Sequence, residues 1–420
     1  MKAVISNRIY IEVSPSLAES IKRELTYKIP SYADPQNPLI LRNYATFKAG
    51  ILSLPAGRTD LIPEGYEIVD RRILAPENFP EFRFTLRDSQ AEIYDDVSDN
   101  CLINAKVSWG KTFTGLAIAG KLSQKTLVVV HTLPLMNQWA EETRKVFGIE
   151  PGLIGNGHEN WDSPITIGNV ASLYKRMPRL QKEFGTLIMD EVHHAPSPTF
   201  EKVIDRCYAR YKIGLSGTLI RKDGRHVVIP DFFGKKTYVP PIENRMEPTV
   251  HAINTGLMFP EGGGWAERVT NLTETRDYQN LVARVAKYYE KLGHKVLVVS
   301  DRVNFLKIIA ERNNTALIVG ETKDRKAEFD KLRSTVSTLC GTQSIFCEGI
   351  SHDELSCLIL GTPVSNDPLL EQLCGRIQRL CPGKIQPIVV DLRLAGYTTE
   401  RQFQQRQGFY MRQGWQIEYL

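Results

Sequence analysis

The 420-residue sequence lacks any long hydrophobic run, any low-complexity tract and any large excess of one charge. Apolar segments such as 127–130 are too short to span a bilayer, which takes about 20 residues. Residues 1–13 also lack the uninterrupted apolar stretch of a secretory signal. We therefore expect a soluble, cytoplasmic protein with no membrane partner. The formal net charge of +5 suits a phosphate-rich partner but is too small to establish one.

No two of the seven cysteines have the CxxC spacing that is typical of zinc or redox sites. We interpret them as reduced, mostly structural thiols. An iron–sulfur cluster on Cys340, Cys347 and Cys357 is the alternative, although their spacing matches no ferredoxin-type run. The sequence also has no internal repeat of the kind that builds solenoids and propellers.

Short runs rich in β-branched residues alternate with helix-like stretches along most of the chain. This alternation is typical of βαβ units, in which helices cover a parallel sheet. We predict an α/β fold with two tandem parallel-sheet domains, 81–241 and 242–420, after a small N-terminal α+β accessory domain, 1–80. The predicted strands include 126–130, 165–170, 186–190 and 211–217 in the first domain and 295–300, 316–320, 355–360 and 387–392 in the second.

The N-terminal segment begins with a strand-like run at 8–13, followed by a helix that Ser14 caps and Pro15 opens. Basic and aromatic residues are interleaved through 8–48, a mixture that can contact nucleic acid. Acidic residues are nearly as numerous there, so a packing module with a solvated basic face explains the pattern equally well.

The segment AKVSWGKT, residues 105–112, lies between a short apolar run and a helix-like stretch. A loop in this context directs backbone N–H groups at a phosphate, and the helix dipole attracts negative charge. Gly110 allows close approach, Lys111 supplies positive charge to the β- and γ-phosphates, and the Thr112 hydroxyl can bind Mg²⁺. Ala105 stands where the usual motif has its first glycine. The segment predicts a site for ATP and Mg²⁺.

An acidic motif, DEVHH, directly follows the apolar run at 186–189. Ligands of parallel sheets bind beyond the carboxyl ends of the strands, where Asp190 and Glu191 are expected to lie. We predict that Asp190 holds Mg²⁺ and that Glu191 orients and deprotonates the attacking water. A zinc site on His193 and His194 is the alternative, but no further ligand follows at a zinc spacing.

Taken in order, AKVSWGKT, DEVH, SGT at 216–218 and QLCGRIQR at 372–379 resemble the motifs of the superfamily 2 helicases. The resemblance covers residues 81–392 and implies two RecA-like domains, ATP hydrolysis and a nucleic-acid partner. The DEVH box and RKDG at 221–224 are similar to the XPB-like and UvsW-type branch, which includes phage branch-migration helicases.

The resemblance implies further nucleotide-binding residues. Gln90 looks like the glutamine that reads adenine, and we expect a capping box of Ser89 and Glu92 to hold it in a first helical turn. Arg87 and Gln372 are implied as additional nucleotide contacts.

The resemblance also implies residues that complete hydrolysis and couple it to DNA. Arg376 and Arg379 look like arginine fingers, which stabilise charge on the γ-phosphate during transfer. In TQSIFCEGIS an acid of the motif is replaced by Ser351, with Asp353 nearby. The implied coupling or DNA-contacting residues are His193, Ser216, Thr218, Arg221, Asp223, Trp265, Thr342 and Gly349.

Two segments leave alternatives open. The stretch 260–266 is either a protruding loop that stacks Trp265 on bases or a linker with the tryptophan packed on the core. After the last strand, basic and aromatic residues are interleaved, including Arg401, Arg406 and Arg412. This tail either contacts DNA or forms an amphipathic helix that covers the second domain.

These features together predict an ATP-driven helicase that moves on DNA and remodels branched or forked substrates in recombination, repair and replication restart. The alternatives are an RNA helicase, a duplex-DNA translocase without strand separation, and an ATP-binding scaffold that clamps nucleic acid. A small-molecule P-loop kinase or a transporter ATPase would leave the second α/β half unexplained.

Overall fold

The computed structural model describes residues 1–30, 37–106, 108–221, 223–243, 245–322, 328, 331–332, 335–347 and 352–420. The described residues form two compact units, 1–242 and 243–420. Within these ranges, no helix combines the length and the apolar character needed to cross a membrane.

A small, mostly antiparallel sheet and one helix begin the first unit. The elements are β1 (Lys2–Ile5), β2 (Arg8–Glu12), α1 (Pro15–Glu24), β3 (Thr26–Ile29), β4 (Leu39–Arg42), β5 (Ala45–Phe47), β6 (Ile51–Pro55) and β7 (Glu67–Asp70). The sheet has the order β5-β6-β2-β1-β7 and is antiparallel except for the parallel pair of β1 and β7, while β3 and β4 pair separately as antiparallel strands. The Ser14 hydroxyl accepts a hydrogen bond from the Leu17 N–H, so the predicted cap of α1 is confirmed.

The larger part of the first unit is a sheet with the order β11-β10-β12-β9-β13-β14-β8-β15, parallel except at β10 and β11. Its strands are β8 (Cys101–Asn104), β9 (Thr126–Val130), β10 (Gly152–Gly155), β11 (His158–Glu159), β12 (Ile165–Asn169), β13 (Thr186–Met189), β14 (Tyr211–Ser216) and β15 (Thr237–Tyr238). The helices are α2 (Asp88–Asp96), α3 (Lys111–Leu122), α4 (Leu133–Phe147), α5 (Val170–Leu180), α6 (Pro198–Arg206) and α7 (Ile229–Phe233). Apolar clusters cover both faces of this sheet, as the runs of consecutive apolar residues predict.

The second unit is built on a parallel sheet with the order β18-β19-β17-β20-β21-β16-β22. Its strands are β16 (Thr249–Met258), β17 (Lys295–Ser300), β18 (Ala316–Ile318), β19 (Thr338–Thr342), β20 (Leu355–Leu360), β21 (Ile388–Ala395) and β22 (Ile417–Tyr419). The helices are α8 (Trp265–Glu274), α9 (Arg276–Lys291), α10 (Val303–Asn313), α11 (Gln343–Cys347), α12 (Asp367–Gly375) and α13 (Tyr397–Arg412). The predicted fold class, with two parallel sheets after a small α+β segment, is confirmed.

The C-terminal tail packs on the second unit as helix α13. Phe403, Phe409 and Tyr410 are buried, as the amphipathic alternative requires. The guanidinium of Arg406 is also buried and donates to both carboxylate oxygens of Asp391, at 2.7 and 2.8 Å. Arg406 therefore stabilises the fold, and the idea that it contacts DNA is wrong.

Candidate active site

The phosphate loop connects β8 to α3, and the structure brings its predicted residues together. Gly110 adopts a left-handed backbone with φ 94°, and a Cβ on it would lie 2.7 Å from Nε2 of Gln90, so glycine is required there. The ammonium of Lys111 donates to the buried carbonyl oxygen of Ala105 at 3.0 Å. Thr112 follows in the first turn of α3 and is half-buried. Backbone N–H groups at the start of α3 are thus oriented for an anion.

The predicted adenine-reading turn contacts the phosphate loop directly. Nε2 of Gln90 donates to the carbonyl oxygen of Trp109 at 2.8 Å, and the Arg87 guanidinium donates to the same oxygen. Oε1 of Gln90 accepts from the backbone N–H of Arg87 at 3.0 Å. The helix therefore begins after Arg87, and the predicted capping box of Ser89 and Glu92 is wrong. Ser89 instead accepts a hydrogen bond from the Trp109 indole at 2.9 Å.

The acidic pair lies at the carboxyl end of β13. Asp190 is 5% exposed, and its Oδ2 accepts a hydrogen bond from the indole N–H of Trp139 at 2.8 Å. Its Oδ1 accepts from the backbone N–H of Glu191 at 2.9 Å. Glu191 has a left-handed backbone with φ 50°, an uncommon conformation for a residue other than glycine. Such strained positions are frequent at functional sites.

The two carboxylates have opposite electrostatic surroundings. Burial, with the charge of Glu191, raises the pKa of Asp190, although the Trp139 hydrogen bond and Lys111 partly oppose it. Burial would also raise the pKa of Glu191, but the hydrogen bond with His193 and the charge of Lys111 outweigh it and lower that pKa. Glu191 is therefore held as an ionised base at neutral pH.

The residues implied in coupling form a hydrogen-bonded group around Glu191. Nδ1 of His193 lies 2.9 Å from Oγ of Ser216 and 3.3 Å from Oε2 of Glu191. Arg221 donates to the His193 carbonyl oxygen at 2.7 Å and binds both carboxylate oxygens of Asp223, at 2.9 and 2.6 Å. This group connects the RKDG element to the acidic pair.

The SGT segment lies beside the phosphate loop. The backbone N–H of Thr218 donates to Oγ of Ser216 at 3.3 Å, which closes a tight turn. A Cβ on Gly217 would lie 3.6 Å from the Nζ atom of Lys111, an ordinary contact distance. The site can therefore accommodate an alanine at this position.

Other predicted residues lie in the second unit. Gln372 and Arg376 are half-buried on and directly after α12. Arg379 donates to Oδ1 of Asp353 at 3.0 Å. Thr342 ends β19 with its hydroxyl 3.5 Å from that of Ser344. Gly349, like Lys222 and Ser351, lies outside the described residues.

Trp265 is the first residue of α8, and its side chain is 38% exposed. Its ring centroid lies 5.1 Å from that of Phe259, which is buried. One part of the indole therefore packs on the unit while another part is accessible. The prediction that it stacks on bases stays untested.

Sequence reasoning missed Trp109 and Trp139, whose indoles donate to Ser89 beside Gln90 and to Asp190 respectively. Both are buried, and Trp109 lies within the AKVSWGKT motif, so an aromatic residue in that motif was the available signal for it. Among the described residues, no group of three or more His, Cys, Asp and Glu side chains could hold a metal ion.

Comparisons with known proteins agree with this site. The family described as "Type III restriction enzyme, res subunit" matches residues 83–221, from the segment before α2 to Arg221. "Probable helicase D10" of Escherichia phage T5 is 41% identical over 99% of this chain and 95% of its own length. The "DNA 3'-5' translocase XPB2" of Sulfurisphaera tokodaii is 32% identical over 58% of this chain and 54% of its own.

The crystal structure of the Pyrococcus furiosus Hef helicase domain aligns with 77% of this chain and 98% of that chain. Its TM-score is 0.52 at 14% identity, a likeness that shows the fold alone. The fold and the phosphate-loop site define an ATP-dependent nucleic-acid helicase. The phage T5 helicase is similar to this chain over nearly its full length. The chain therefore belongs to the superfamily 2 helicases, as its motifs predicted.

Proposed function

We propose that this helicase uses ATP and Mg²⁺ to move on DNA and to remodel branched or forked substrates in recombination, repair and replication restart. The observation that carries the proposal is Glu191, held as a base beside Lys111 by His193 and connected through Arg221 to the RKDG element. The name of the XPB2 relative, a "DNA 3'-5' translocase", supports DNA as the partner. We also propose the domain limits 1–80, 81–241 and 242–420.

The residues of the phosphate loop fit the proposed nucleotide. Gly110, with its left-handed backbone, leads into the first turn of α3, whose backbone N–H groups have no partner within the helix, and Lys111 adds a cation in the same loop. The hydroxyl of Thr112 and the carboxylate of Asp190 are oxygen donors, which Mg²⁺ prefers. When bound, the ion would neutralise negative charge on the β- and γ-phosphates.

Glu191 is proposed to accept the proton of the attacking water. Its lowered pKa keeps it ionised before the reaction. Ser216 and His193 hold its carboxylate in place. Arg376 and Arg379 are proposed to stabilise the charge of the transferred phosphoryl group. Gln90, Arg87 and Gln372 are proposed as nucleotide contacts.

The test is the ATPase rate measured in turn without nucleic acid, with duplex DNA, with a four-way junction and with RNA. We expect the greatest stimulation by the junction. Stimulation by RNA alone would favour the RNA-helicase alternative, and no stimulation by any of them would favour a scaffold. A labelled fork separates strand displacement from translocation on intact duplex.

Two variants test the assigned chemistry. Glu191→Gln should lower turnover by about 10²–10⁴-fold, because it removes the general base, while nucleotide binding persists. Lys111→Ala should lose both turnover and tight binding, because it removes the cation of the phosphate loop. Substantial turnover by Glu191→Gln would contradict the assignment of the base.

A further inference from the structure

A groove with a volume of about 810 Å³ lies on the second unit. Helix α9 contributes one side, the end of β16 contributes Thr255 and Leu257, and the end of α10 contributes residues 312 and 313. None of the predicted nucleotide or coupling residues lines it. The groove is therefore a feature of this chain that the ATPase chemistry leaves unexplained.

The wall formed by α9 is a polar stripe. Asp277, Asn280, Arg284 and Lys287 follow one another at intervals of three, four and three residues, so they share one face of the helix. The side chains of Arg284 and Lys287 are exposed. This spacing aligns two cations along the groove.

A third cation is fixed in orientation at the end of α10. The guanidinium of Arg312 donates to Oε1 of Gln279 at 2.8 Å and to Oδ1 of Asn280. Both acceptors are neutral amides, which orient the arginine without cancelling its charge. No ion pair among the described residues involves Arg284, Lys287 or Arg312. Asp277 is the single carboxylate among the lining residues in the described ranges.

Aliphatic surface lies between these polar groups. Leu257, Leu281 and Ala283 line the groove, and the leucines are half-buried. A polyanion that also presents flat apolar groups would satisfy both kinds of surface. A single-stranded nucleic acid does so, whereas a duplex keeps its bases stacked inside.

We propose that this groove binds a single-stranded segment of nucleic acid, with Arg284, Lys287 and Arg312 on its phosphates and the leucines against its bases. The proposal rests on the proposed function, because it names a site for one strand of a DNA substrate. It places this strand contact outside the motifs that bind and hydrolyse ATP.

The test compares Arg284→Gln/Lys287→Gln with the control Lys291→Gln/Lys307→Gln in the full chain. The control removes the same charge from exposed positions of α9 and α10 that do not line the groove. Binding of fluorescein-labelled oligothymidylate is measured by anisotropy across a series of salt concentrations. Thermal unfolding verifies that both proteins are folded.

The groove variant should reduce the slope of log affinity against log salt by about 1.4, since each single-strand phosphate contact contributes about 0.7. If the two proteins bind equally at about 1 M salt, this difference in slope lowers the affinity of the groove variant about 25-fold at about 0.1 M salt. The control should retain the parent slope. The maximal DNA-stimulated ATPase rate of the groove variant should stay at the parent value, with more DNA needed to reach half of it.

An unchanged affinity and slope in the folded groove variant would overturn this inference while leaving the proposed function intact. Failure of every nucleic acid to stimulate the unmodified protein would instead refute the proposed function. A fluorescent polyglutamate peptide is the remaining probe. If the groove variant loses that peptide and keeps oligothymidylate, the groove binds acidic protein segments and the inference is wrong.

Discussion

Replacing Trp139 with phenylalanine would remove one hydrogen-bond donor from the buried carboxylate of Asp190 and keep an aromatic ring in place. The indole N–H lies 2.8 Å from Oδ2, and both side chains are almost completely buried. The backbone N–H of Glu191 remains on Oδ1. The change therefore tests a single contact of the acidic pair.

The expected cost follows from this geometry. A hydrogen bond to a charged group contributes about 1.5–3 kcal/mol. Loss of part of the buried ring beside Gly115 adds about 1 kcal/mol, so the free energy of unfolding should fall by about 2.5–4 kcal/mol.

The cost should depend on pH in a defined direction. Burial already raises the pKa of Asp190 above its ordinary 3.8, and loss of the donor would raise it further. A carboxyl group with a raised pKa in the folded state costs stability when ionised, and this cost grows as the pH rises above 3.8. Below that value Asp190 is protonated in the folded and the unfolded state. The part of the stability difference between variant and parent that depends on its charge therefore disappears.

Urea unfolding at about pH 7 and about pH 4 measures both quantities. Trp161→Phe is the matched control, because Trp161 is half-buried and its ring lies beneath Arg179 at the surface. The control should lose less than about 1 kcal/mol, with no change between the two pH values. A Trp139→Phe variant as stable as the parent, or one whose deficit is the same at both pH values, would refute the reasoning.

Three further changes have defined outcomes. Arg379→Ala should lower the hydrolysis rate by about 10³-fold with little change in nucleotide affinity. An unaltered rate in a steady-state assay would show that Arg379 is not an arginine finger. Arg58→Ala should reduce the free energy of unfolding by about 3–5 kcal/mol, because it leaves the buried Asp231 without its cation. An unshifted urea midpoint would contradict that. Trp265→Ala should slow displacement of a labelled strand while DNA-stimulated ATPase persists; equal loss of both activities would assign the indole to packing.

Local patterns were sufficient to predict the elements that carry the site. The run TLIM predicted a buried strand at 186–189, and the structure has β13 there. The strand, loop and helix around 105–112 followed from the glycine, the preceding apolar run and the helical stretch after it. Neighbours within a few residues determine these features, so a single sequence contains the information.

Long-range partners could not be predicted in the same way. The bond between Trp139 and Asp190 joins α4 to the end of β13 and depends on how the helix packs on the sheet. The capping box near Gln90 was misplaced because the helix begins after Arg87, which puts Ser89 inside the helix, where it accepts a hydrogen bond from Trp109 of the phosphate loop. Arg406 resembled a surface cation in the sequence, and only the folded sheet shows that Asp391 is its partner.

The buried carboxylate of Asp231 makes the rest of the first unit depend on the N-terminal segment, 1–80. Tyr27 and Asn43 donate to it at 2.8 Å, and Arg58 pairs with it at 3.2 Å, all from the N-terminal segment. A chain that lacks residues 1–80 would leave the fully buried carboxyl group of Asp231 with none of these three partners. Exchange of the N-terminal segment between related motors therefore has to preserve this set of donors, because the segment and the carboxylate belong to one compact unit, 1–242.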